Sequence, residues 1–422
     1  MKITFVIDMV GSKNNGTTIT AMRTASALKK LGHEINFIAY ISNKEKDEFP
    51  FDVSNSTEIL HIPLFQKLIE KQGFLIATAS YRDIYEYLKG SDLVHIFLPF
   101  RIEAKVRLVA KAMGIPVTSA FHCQPENVSY TAHMGHSKLI NSIIYSLFNN
   151  WLYKYTEYVH TPTQMMKDLM IEHHYKNKIY PISNGVSDKF VPMKAEKPEE
   201  LKDKYIIMMC GRLSGEKRQD LIIKAIGESK YNKDIQLILC GQGPKRKTYE
   251  KLSEKYLANK CIFKFVTQEE LIQIINYTDL YVHASDAESE AISCLEAISC
   301  GKVPVISDSK LSATNHFSLD PRCLFKAGDY KSLKEKIEYF YEHKEVVEEL
   351  APKYAEYGKT FKLENCAKQL EAMMEEAVKA DKEDKENKVT YYSSASERRK
   401  LRRVAKKAGI ENPYIFKDVK AK

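Results

Sequence analysis

The stretch "LYVHASDAESEAISCLEAISCG", Leu280 to Gly301, contains a complete strand, loop and helix of the predicted fold. Its apolar start, as far as Ser285, is typical of a buried parallel strand, and Gly301 ends a helix predicted to begin near residue 290. Open α/β sheets bind ligands at the carboxyl ends of their strands. Asp286 to Glu288 therefore lie at a candidate site.

The same alternation of strands and helices runs along most of the 422 residues. A polar, proline-containing stretch near 194–204 separates two sets of strands, which predicts two Rossmann-like, doubly wound α/β domains that face each other across a cleft. The predicted domains are residues 1–192 and 193–363. A helix at 364–380 is expected to cross back to the first domain, and 381–422 form a basic tail with a helix.

Strands are predicted from apolar and β-branched runs. The first set is "KITFVID", "EINFIAY", "LVHIFL", "PVTSAFH", "EYVHTP" and "KIYPIS", and the second is "YIIMMCG", "IQLILCG", "CIFKFV", "LYVHAS" and "VPVISD". A helix is predicted over Thr18 to Leu31, closed by Gly32.

Composition predicts a folded, soluble protein. Apolar residues make up 44% of the chain, which is ordinary for a globular protein. The eight cysteines form no C-x-x-C pair, so neither a zinc site nor a disulfide framework is predicted, and a reduced cytoplasmic setting is favoured. The N-terminus has the pattern of a strand rather than a signal peptide. No apolar run reaches the roughly 18 residues of a membrane span, so we expect any membrane contact to be peripheral, at the inner face.

The net charge of +9 is concentrated in the C-terminal tail. In "SASERRKLRRVAKKAG", Ser394 and Glu397 fit a capping box, and seven basic residues surround an apolar stripe. We expect residues 394–408 to bind an anionic membrane surface rather than nucleic acid. The alternative is a charged helix that packs on its own domain. The stripe consists of Leu401, Val404, Ala405 and Ala408.

A second amphipathic segment runs from His136 to Tyr158 and is rich in aliphatic and aromatic residues. We predict that it is mostly a core helix of the first sheet, with a membrane-interface helix as the alternative. Its large apolar residues are Leu139, Ile143, Leu147, Phe148, Trp151 and Tyr155.

Charged residues with possible chemistry cluster around two loops of the second half. Arg212 and Lys217 lie in "CGRLSGEKRQD", directly after a strand, where they could clamp phosphate oxygens. Glu296 lies in a helix that is apolar on most sides, so its carboxylate needs a partner such as a sugar diol. Glu288 and Glu290 also fit the ordinary acidic start of a helix.

Several strings, taken in order, resemble the retaining GT-B glycosyltransferases of family 4. They are "CGRLSGEKR", "LILCGQGPKRK" and "VTQEELIQIINYTDLYVHASDAESEAISCLEAISCGKVPVI", with "NNGTTITAMRTASALKKLGHEI", "SAFHCQPE" and "ISNGVSDKF" in the first half. The spacing of Glu288 and Glu296 matches the family's E-x7-E motif. The resemblance implies transfer of a hexose from a nucleoside diphosphate sugar, with a UDP-sugar favoured. Family members that glycosylate diacylglycerol suggest a lipid or lipid-linked glycan acceptor.

The resemblance also implies a role for each matching residue. Arg212 and Lys217 would hold the donor diphosphate, Glu288 would touch the transferred sugar, and Glu296 would bind the ribose. His122, which alone would be taken as a structural histidine, would lie at the sugar. Further donor contacts would come from Gly16, Ile292, Ser293 and Val266. No metal or other cofactor is implied.

The chain departs from the family pattern at two places. Ser289, Glu290 and Ala291 replace the usual Gly-Phe-Gly, so side chains are expected where bare backbone often meets the sugar. Lys264 stands where glycine is usual, near the nucleobase. The donor sugar and base therefore stay open at this stage.

Other functions are compatible with the pattern. One is a GT-B-fold sugar-nucleotide epimerase or phosphorylase, against which the E-x7-E spacing argues. Another is a soluble glycosyltransferase that builds a polysaccharide. A third is a membrane-bound scaffold without turnover.

Overall fold

A computed structural model describes residues 1–11, 16–61, 75–130 and 137–420. Within these ranges the chain divides into two compact units. The first unit contains residues up to 125, residues 137–183 and residues from 366 onward, and the second contains 126–130 and 184–365. Residues 184–192, predicted in the first domain, thus group with the second unit, and the C-terminal tail groups with the first.

The first half of the chain alternates strands with helices, as its sequence pattern predicts. Its strands are β1 (Lys2–Met9), β2 (Glu34–Tyr40), β3 (Asp52–Val53), β4 (Glu58–Ile59), β5 (Ala77–Thr78), β6 (Leu93–Ile96), β7 (Val117–Ala120), β8 (Tyr158–Thr161) and β9 (Lys178–Pro181). Its helices are α1 (Gly16–Lys30), α2 (Asn43–Lys46), α3 (Tyr81–Leu88), α4 (Arg101–Met113), α5 (Pro125–Tyr130), α6 (Lys138–Trp151) and α7 (Gln164–Glu172).

The second half repeats this alternation and then continues into helices. Its strands are β10 (Tyr205–Cys210), β11 (Ile235–Cys240), β12 (Ile262–Lys264), β13 (Leu280–His283), β14 (Ala287–Glu288), β15 (Pro304–Ser307), β16 (Leu311–Ser312), β17 (Leu324–Phe325), β18 (Val389–Thr390) and β19 (Asp418–Val419). Its helices are α8 (Gln219–Gly227), α9 (Arg246–Tyr256), α10 (Gln268–Tyr277), α11 (Ile292–Ser299), α12 (Tyr330–Glu342), α13 (Lys344–Gly358), α14 (Leu363–Glu386) and α15 (Ala395–Ala408).

Each unit is built on one parallel sheet. The first sheet has the strand order β3-β2-β1-β6-β7-β8-β9, and the second has the order β12-β11-β10-β13-β15-β17. In both, the chain first winds outward in one direction and then returns to wind in the other, which is the doubly wound arrangement. The point of reversal lies between β1 and β6 in the first sheet, and between β10 and β13 in the second.

Two glycines hold the loops after β10 and β11 in contact. A Cβ atom on Gly241 would meet the carbonyl oxygen of Gly211 at 2.0 Å, and one on Gly243 would meet that of Leu213 at 2.3 Å. Because no side chain intervenes, the two loops can form a backbone hydrogen bond: the Leu213 N–H donates to the Gln242 carbonyl at 3.0 Å, an ordinary hydrogen-bond distance. The loop that carries Arg212 is therefore fixed by its neighbour.

Helix α14 leaves the second unit and enters the core of the first. Its buried residues pack with Phe5, Phe37 and Phe97. The helix also continues to Glu386, six residues beyond its predicted end at 380. The reason is that the charges pair along the helix: Lys385 and Asp381, four residues apart, lie 2.6 Å from each other. The buried residues of α14 in this core are Cys366, Leu370, Met373, Met374 and Ala377.

Helix α15 begins and ends where its sequence predicts, but its apolar stripe is covered. Ser394 accepts from the Glu397 N–H at 3.1 Å, whereas the Glu397 carboxylate turns to Arg107 at 2.6 Å instead of completing a capping box. Leu401 and Ala405 pack against Ala112 of α4. The alternative interpretation, a charged helix that packs on its own domain, is thus what the structure has. The stripe is unavailable for insertion into a membrane, and the basic face remains exposed.

The prediction of a core helix between His136 and Tyr158 is wrong for most of its apolar residues. In α6, Asn141 and Tyr145 are buried, whereas the stripe that includes Leu139 and Leu147 is exposed. No helix within the described residues is both long and apolar enough to cross a bilayer.

Candidate active site

The predicted chemistry of the second unit gathers at the point where its strand order reverses. Strand β10 ends at Cys210 and leads into the loop of Arg212 and Lys217, while the adjacent β13 ends at His283 and leads into the loop of Glu288. The two loops are joined directly, since the Asp286 N–H donates to the Glu216 carbonyl at 2.8 Å. This is the edge where doubly wound sheets bind ligands.

Lys217 and Glu288 form the centre of this cluster. The Lys217 ammonium contacts Oε1 of Glu288 directly. The same oxygen lies 3.3 Å from Nε2 of His283 and accepts from the Ser285 hydroxyl at 3.4 Å. Both side chains of the ion pair are largely buried. A buried charge pair of this kind is supported by further hydrogen bonds, as its desolvation requires.

The surroundings of Glu288 keep it ionised. Burial by itself would raise the pKa of Glu288, but the charge of Lys217 and the hydrogen bond with His283 outweigh burial and lower that pKa to about 2. Burial lowers the pKa of His283 despite the nearby carboxylate. The site thus presents an ionised carboxylate at neutral pH, in contact with Lys217 and beside a neutral imidazole.

A second ion pair fixes the loop that precedes Glu288. Arg218 donates to Asp286 at 2.9 Å, and Tyr130 donates to the same oxygen of Asp286 at 3.3 Å. Arg218 also contacts Asp220 at 3.2 Å and has a left-handed backbone with φ of 54°. Arg218 was not among the predicted site residues, although it follows Lys217 directly in the sequence.

Helix α11 begins at the same edge. Ala291, just before it, has a left-handed backbone with φ of 64°, which explains why a glycine suits this position. Ile292 and Ser293 form the first turn, whose N–H groups can meet an anion. The Ser293 hydroxyl donates to the Cys210 carbonyl at 2.8 Å. The helix start is therefore attached to the end of β10.

The side chain of Glu290 is bound by Asn184 of the same unit. Its carboxylate accepts from the Asn184 N–H at 3.0 Å and from the Asn184 amide group at 2.5 Å. The effect of this departure from the family pattern on the donor sugar stays a prediction. Both of these donors belong to Asn184, which follows the last strand of the first sheet. Glu290 is 2% exposed, so its role here is to fix that segment.

Glu296 and Arg212 lie next to this cluster. Glu296 is buried in α11, and its charge helps to raise the pKa of Cys210, after burial and Cys240. Glu296 is therefore close to the end of β10. Arg212 is half-buried, and its carbonyl accepts from Gln219 at 2.9 Å.

The predicted base-side residues follow β12. Val266 is half-buried and packs at the edge of the core, whereas Lys264, the last residue of the strand, is exposed. The Gly241 N–H donates to the Lys264 carbonyl at 2.7 Å. The backbone at this departure from the family pattern thus joins the loop after β11.

Two predicted residues lie in the first unit. Gly16 is exposed at the start of α1. His122 follows β7, and its ring lies 5.3 Å from that of His160 and 5.7 Å from that of Phe97. Burial, followed by the nearby His160 and His95, holds the pKa of His122 well below its ordinary value. His122 is therefore a neutral imidazole at physiological pH.

Some residues of the cluster were not predicted. His283 and Ser285 stand in "LYVHAS", where a polar residue inside a buried strand was a usable signal. A separate pair of residues that was not predicted lies in the first unit. Asp8 and Glu103 are buried carboxyl groups at the reversal point between β1 and β6. Burial raises the pKa of Asp8 to about 7, although the Ala77 N–H donates to it at 2.7 Å.

Three proteins illustrate the likeness of the chain to known proteins. An alpha-monoglucosyldiacylglycerol synthase of Acholeplasma laidlawii is 24% identical over 312 residues, which cover 69% of this chain and 76% of the relative. The crystal structure of Anabaena Alr3699/HepE in complex with UDP-glucose has a TM-score of 0.67 at 16% identity and covers 89% of this chain and 100% of that one.

A sucrose-phosphate synthase structure from Thermosynechococcus elongatus has a TM-score of 0.70 at 15% identity and covers 90% of this chain and 99% of that chain. These two structures share the fold of two parallel-sheet α/β domains that is named GT-B. Residues 14–190 match the family described as Glycosyltransferase Family 4, and residues 192–361 match the one described as glycosyl transferases group 1. The two matches meet near residue 191 and take in every strand of the two sheets except β1, so the chain belongs to the family 4 glycosyltransferases with the GT-B fold.

Proposed function

We propose that the protein transfers a hexose, with retention of configuration and without a metal, from a nucleoside diphosphate sugar to a lipid or lipid-linked glycan acceptor. The observation that carries this proposal is the buried cluster of Lys217, Glu288 and His283 beside the first turn of α11. The lipid glycosyltransferase from Acholeplasma laidlawii supports the acceptor class. UDP-glucose is the first donor to test, because the structure of one relative, Anabaena Alr3699/HepE, is a complex with UDP-glucose.

The charges of the cluster suit the charge changes of glycosyl transfer. When the bond from the anomeric carbon to the diphosphate breaks, negative charge grows on the phosphate oxygens and positive charge on the sugar ring. Arg212, Lys217 and the N–H groups at the start of α11 would stabilise the phosphate. The Glu288 carboxylate would stabilise the ring, and Glu296 would bind the ribose. His122, as a neutral imidazole, would hydrogen-bond the sugar.

Retention follows if the acceptor attacks the face that the phosphate leaves. The acceptor oxygen forms a bond to the anomeric carbon as the bond between that carbon and the diphosphate oxygen breaks. The proton of the acceptor hydroxyl passes to the leaving phosphate. We place this reaction at the inner face of the membrane, on a peripherally bound enzyme. The ionised state of Glu288 and the direct contact of Lys217 make the site ready for a donor without further proton transfer.

Thermal-shift measurements with UDP-, GDP- and ADP-sugars test the donor, and mass spectrometry of vesicle lipids tests the acceptor. We expect a UDP-sugar to stabilise the protein and the product lipid to gain one hexose in the presence of a metal chelator. Glu296→Ala should weaken donor binding, whereas Glu288→Ala should slow transfer by about 10²-fold or more with smaller effects on binding.

Glu254→Ala, at an exposed position of the same unit, is the matched control and should change neither quantity. Isomerisation of the nucleotide sugar without an acceptor would indicate an epimerase instead. Loss of activity on chelation would contradict the metal-free mechanism. Unchanged kinetics in both active-site variants would contradict the assignment of the site.

A further inference from the structure

Helix α6 carries a stripe of apolar side chains on its outer face. Leu139, Ile143, Leu147 and Trp151 recur every four residues and are 73%, 50%, 60% and 51% exposed. This spacing puts them on one side of the helix, while Tyr145 is buried on the other. Four large apolar side chains on one exposed helix face form a contiguous patch, which is unusual for a face that meets only water. We call these four residues the α6 stripe.

The α6 stripe leads to a group of basic side chains in the same unit. Trp151 donates its indole N–H to the Phe100 carbonyl at 2.9 Å, and the next residue, Arg101, is exposed at the start of α4. One turn further along, Lys105 lies over the ring of Tyr81 at 4.9 Å. The stripe and these cations are therefore neighbours on the surface of the first unit.

Helix α15 adds its basic face to this group. The Lys407 ammonium group lies 5.9 Å from the centre of the same Tyr81 ring. Burial, together with the nearby charges of Arg101 and Lys407, lowers the pKa of Lys105. Arg403 and Lys400 precede Lys407 by one and two helical turns and are exposed. Lys105 is half-buried and donates to the Thr78 hydroxyl and the Ala79 carbonyl, so it links the exposed cations rather than joining them. We call Arg101, Lys400, Arg403 and Lys407 the basic row.

We propose that the α6 stripe and the basic row together form a surface that binds an anionic phospholipid bilayer. The apolar side chains would enter the region between headgroups and acyl chains, while the cations contact lipid phosphates. Trp151, at the junction of the two parts, has the amphipathic ring that is enriched at membrane interfaces. A second copy of the chain fits this surface poorly, because the basic rows would repel each other.

This surface replaces the buried apolar stripe of α15 as the membrane-binding element. The inference rests on the proposed lipid acceptor for its purpose, but it makes a separate prediction about binding alone. If the protein binds vesicles and glycosylates no lipid, the acceptor assignment fails and the surface stands. If it glycosylates lipid dispersed in detergent but does not bind vesicles, the surface is wrong and the activity stands.

The sequence contains one tryptophan, Trp151, so the fluorescence of the full-length protein reports on this surface directly. The experiment titrates the protein with vesicles of phosphatidylcholine, with and without phosphatidylglycerol, at low and high salt. We expect a blue shift of the emission with anionic vesicles at low salt, and quenching by brominated acyl chains. The absence of both changes would overturn the proposal. A shift that depends on protein concentration without vesicles would also overturn it, since it would indicate self-association.

Variants of the α6 stripe test the apolar contribution. Leu139→Ser combined with Leu147→Ser removes two large exposed side chains, and we expect binding to be weaker by about tenfold or more. The control combines Ile171→Ser with Leu319→Ser, which are also exposed apolar positions but lie outside the stripe. Equal loss in the variant and the control would contradict a role for α6. Circular dichroism and thermal unfolding of each variant show that the fold is kept.

Variants of the basic row test the charge contribution. We expect Arg403→Gln combined with Lys407→Gln to weaken binding to anionic vesicles by about tenfold at low salt, with a smaller effect at high salt. The control combines Lys233→Gln with Lys247→Gln, two exposed lysines of the second unit. A similar loss in both double variants would show that net charge, rather than this surface, governs binding. That result would overturn the assignment of the basic row.

Discussion

At the scale of single residues, the contact between Lys217 and Glu288 decides the charge state of the site. Glu288 is 7% exposed, and an isolated carboxylate in such a place would bind a proton. Lys217 reverses that tendency and holds the pKa of Glu288 at about 2, against an ordinary 4.5. The pair therefore contributes to stability above pH 4.5, and this contribution is lost as the pH falls toward 2.

Lys217→Met should reverse the sign of this pH dependence. Burial, the largest influence on the pKa of Glu288, would then be opposed mainly by His283. We expect burial to prevail and to raise this pKa above 4.5, so that the carboxyl group becomes destabilising as the pH rises from 4.5 toward neutrality. We expect the free energy of unfolding to fall by about 3–5 kcal/mol near neutral pH, and by less near pH 4.5. Urea unfolding at both pH values measures this, with Lys247→Met at an exposed lysine as the control. A loss independent of pH would contradict it.

At the scale of elements, α15 is attached to α4 by a buried ion pair as well as by apolar packing. The Arg107 and Glu397 side chains are 4% and 1% exposed and lie 2.6 Å apart. The Arg107 guanidinium also stacks over Tyr155, at 4.0 Å from its ring centre. Lys111 donates to the Tyr392 carbonyl at 2.7 Å, just before the helix. These contacts hold the basic face of α15 outward.

Glu397→Gln should release much of this attachment. It leaves the Arg107 charge buried without a countercharge, and we expect the free energy of unfolding to fall by about 3 kcal/mol. Glu411→Gln, at an exposed glutamate beyond the helix, should change it by less than about 0.5 kcal/mol. The double variant with Arg107→Met should recover part of the loss, because no unpaired charge remains. Equal stability of Glu397→Gln and the control would show that the pair contributes little.

Local patterns predicted some elements well and others poorly for a physical reason. All strands of the two sheets except the two-residue edge strands β3 and β17 were predicted, and so were the loops of Lys217 and Glu288. The reason is that buried parallel strands are long apolar runs, whose ends fix where loops emerge. The exposure of α6 was not predicted, since a four-residue apolar period is the same whether that face meets the core or solvent. The partner of Glu290 was also unpredictable, because Asn184 is distant in sequence and joins it only through tertiary structure.

At the scale of the whole molecule, the first unit depends on residues from the far end of the chain. Helix α14 places Leu370 and Met374 in a core with Phe5 and Phe37. The sheet that begins at Lys2 is thus covered on one face by residues that follow the entire second unit. Apolar packing across this long sequence separation makes the C-terminal region part of the first fold rather than an appendage.

Leu370→Ala should therefore destabilise the first unit. Loss of a buried leucine costs about 2–5 kcal/mol, whereas Leu139→Ala, at a leucine that is 73% exposed, should cost less than about 0.5 kcal/mol. Trp151 lies in the first unit and is the one tryptophan of the chain, so its emission follows the unfolding of that unit in urea. An unchanged midpoint in Leu370→Ala would show that α14 is dispensable for the first core.

The return of α14 to the first core also sets an order of events during synthesis. The ribosome completes the seven strands of the first sheet by Pro181, but the residues of α14 that close its core, 366–377, are made only after the second unit. At about 5–20 residues per second, the stretch from 184 to 377 takes roughly 10–40 s to translate. During that time the nascent first unit keeps an open apolar face, while the second unit can complete its own sheet. We therefore expect the earlier half of the emerging chain to be open to chaperones for longer than the later half.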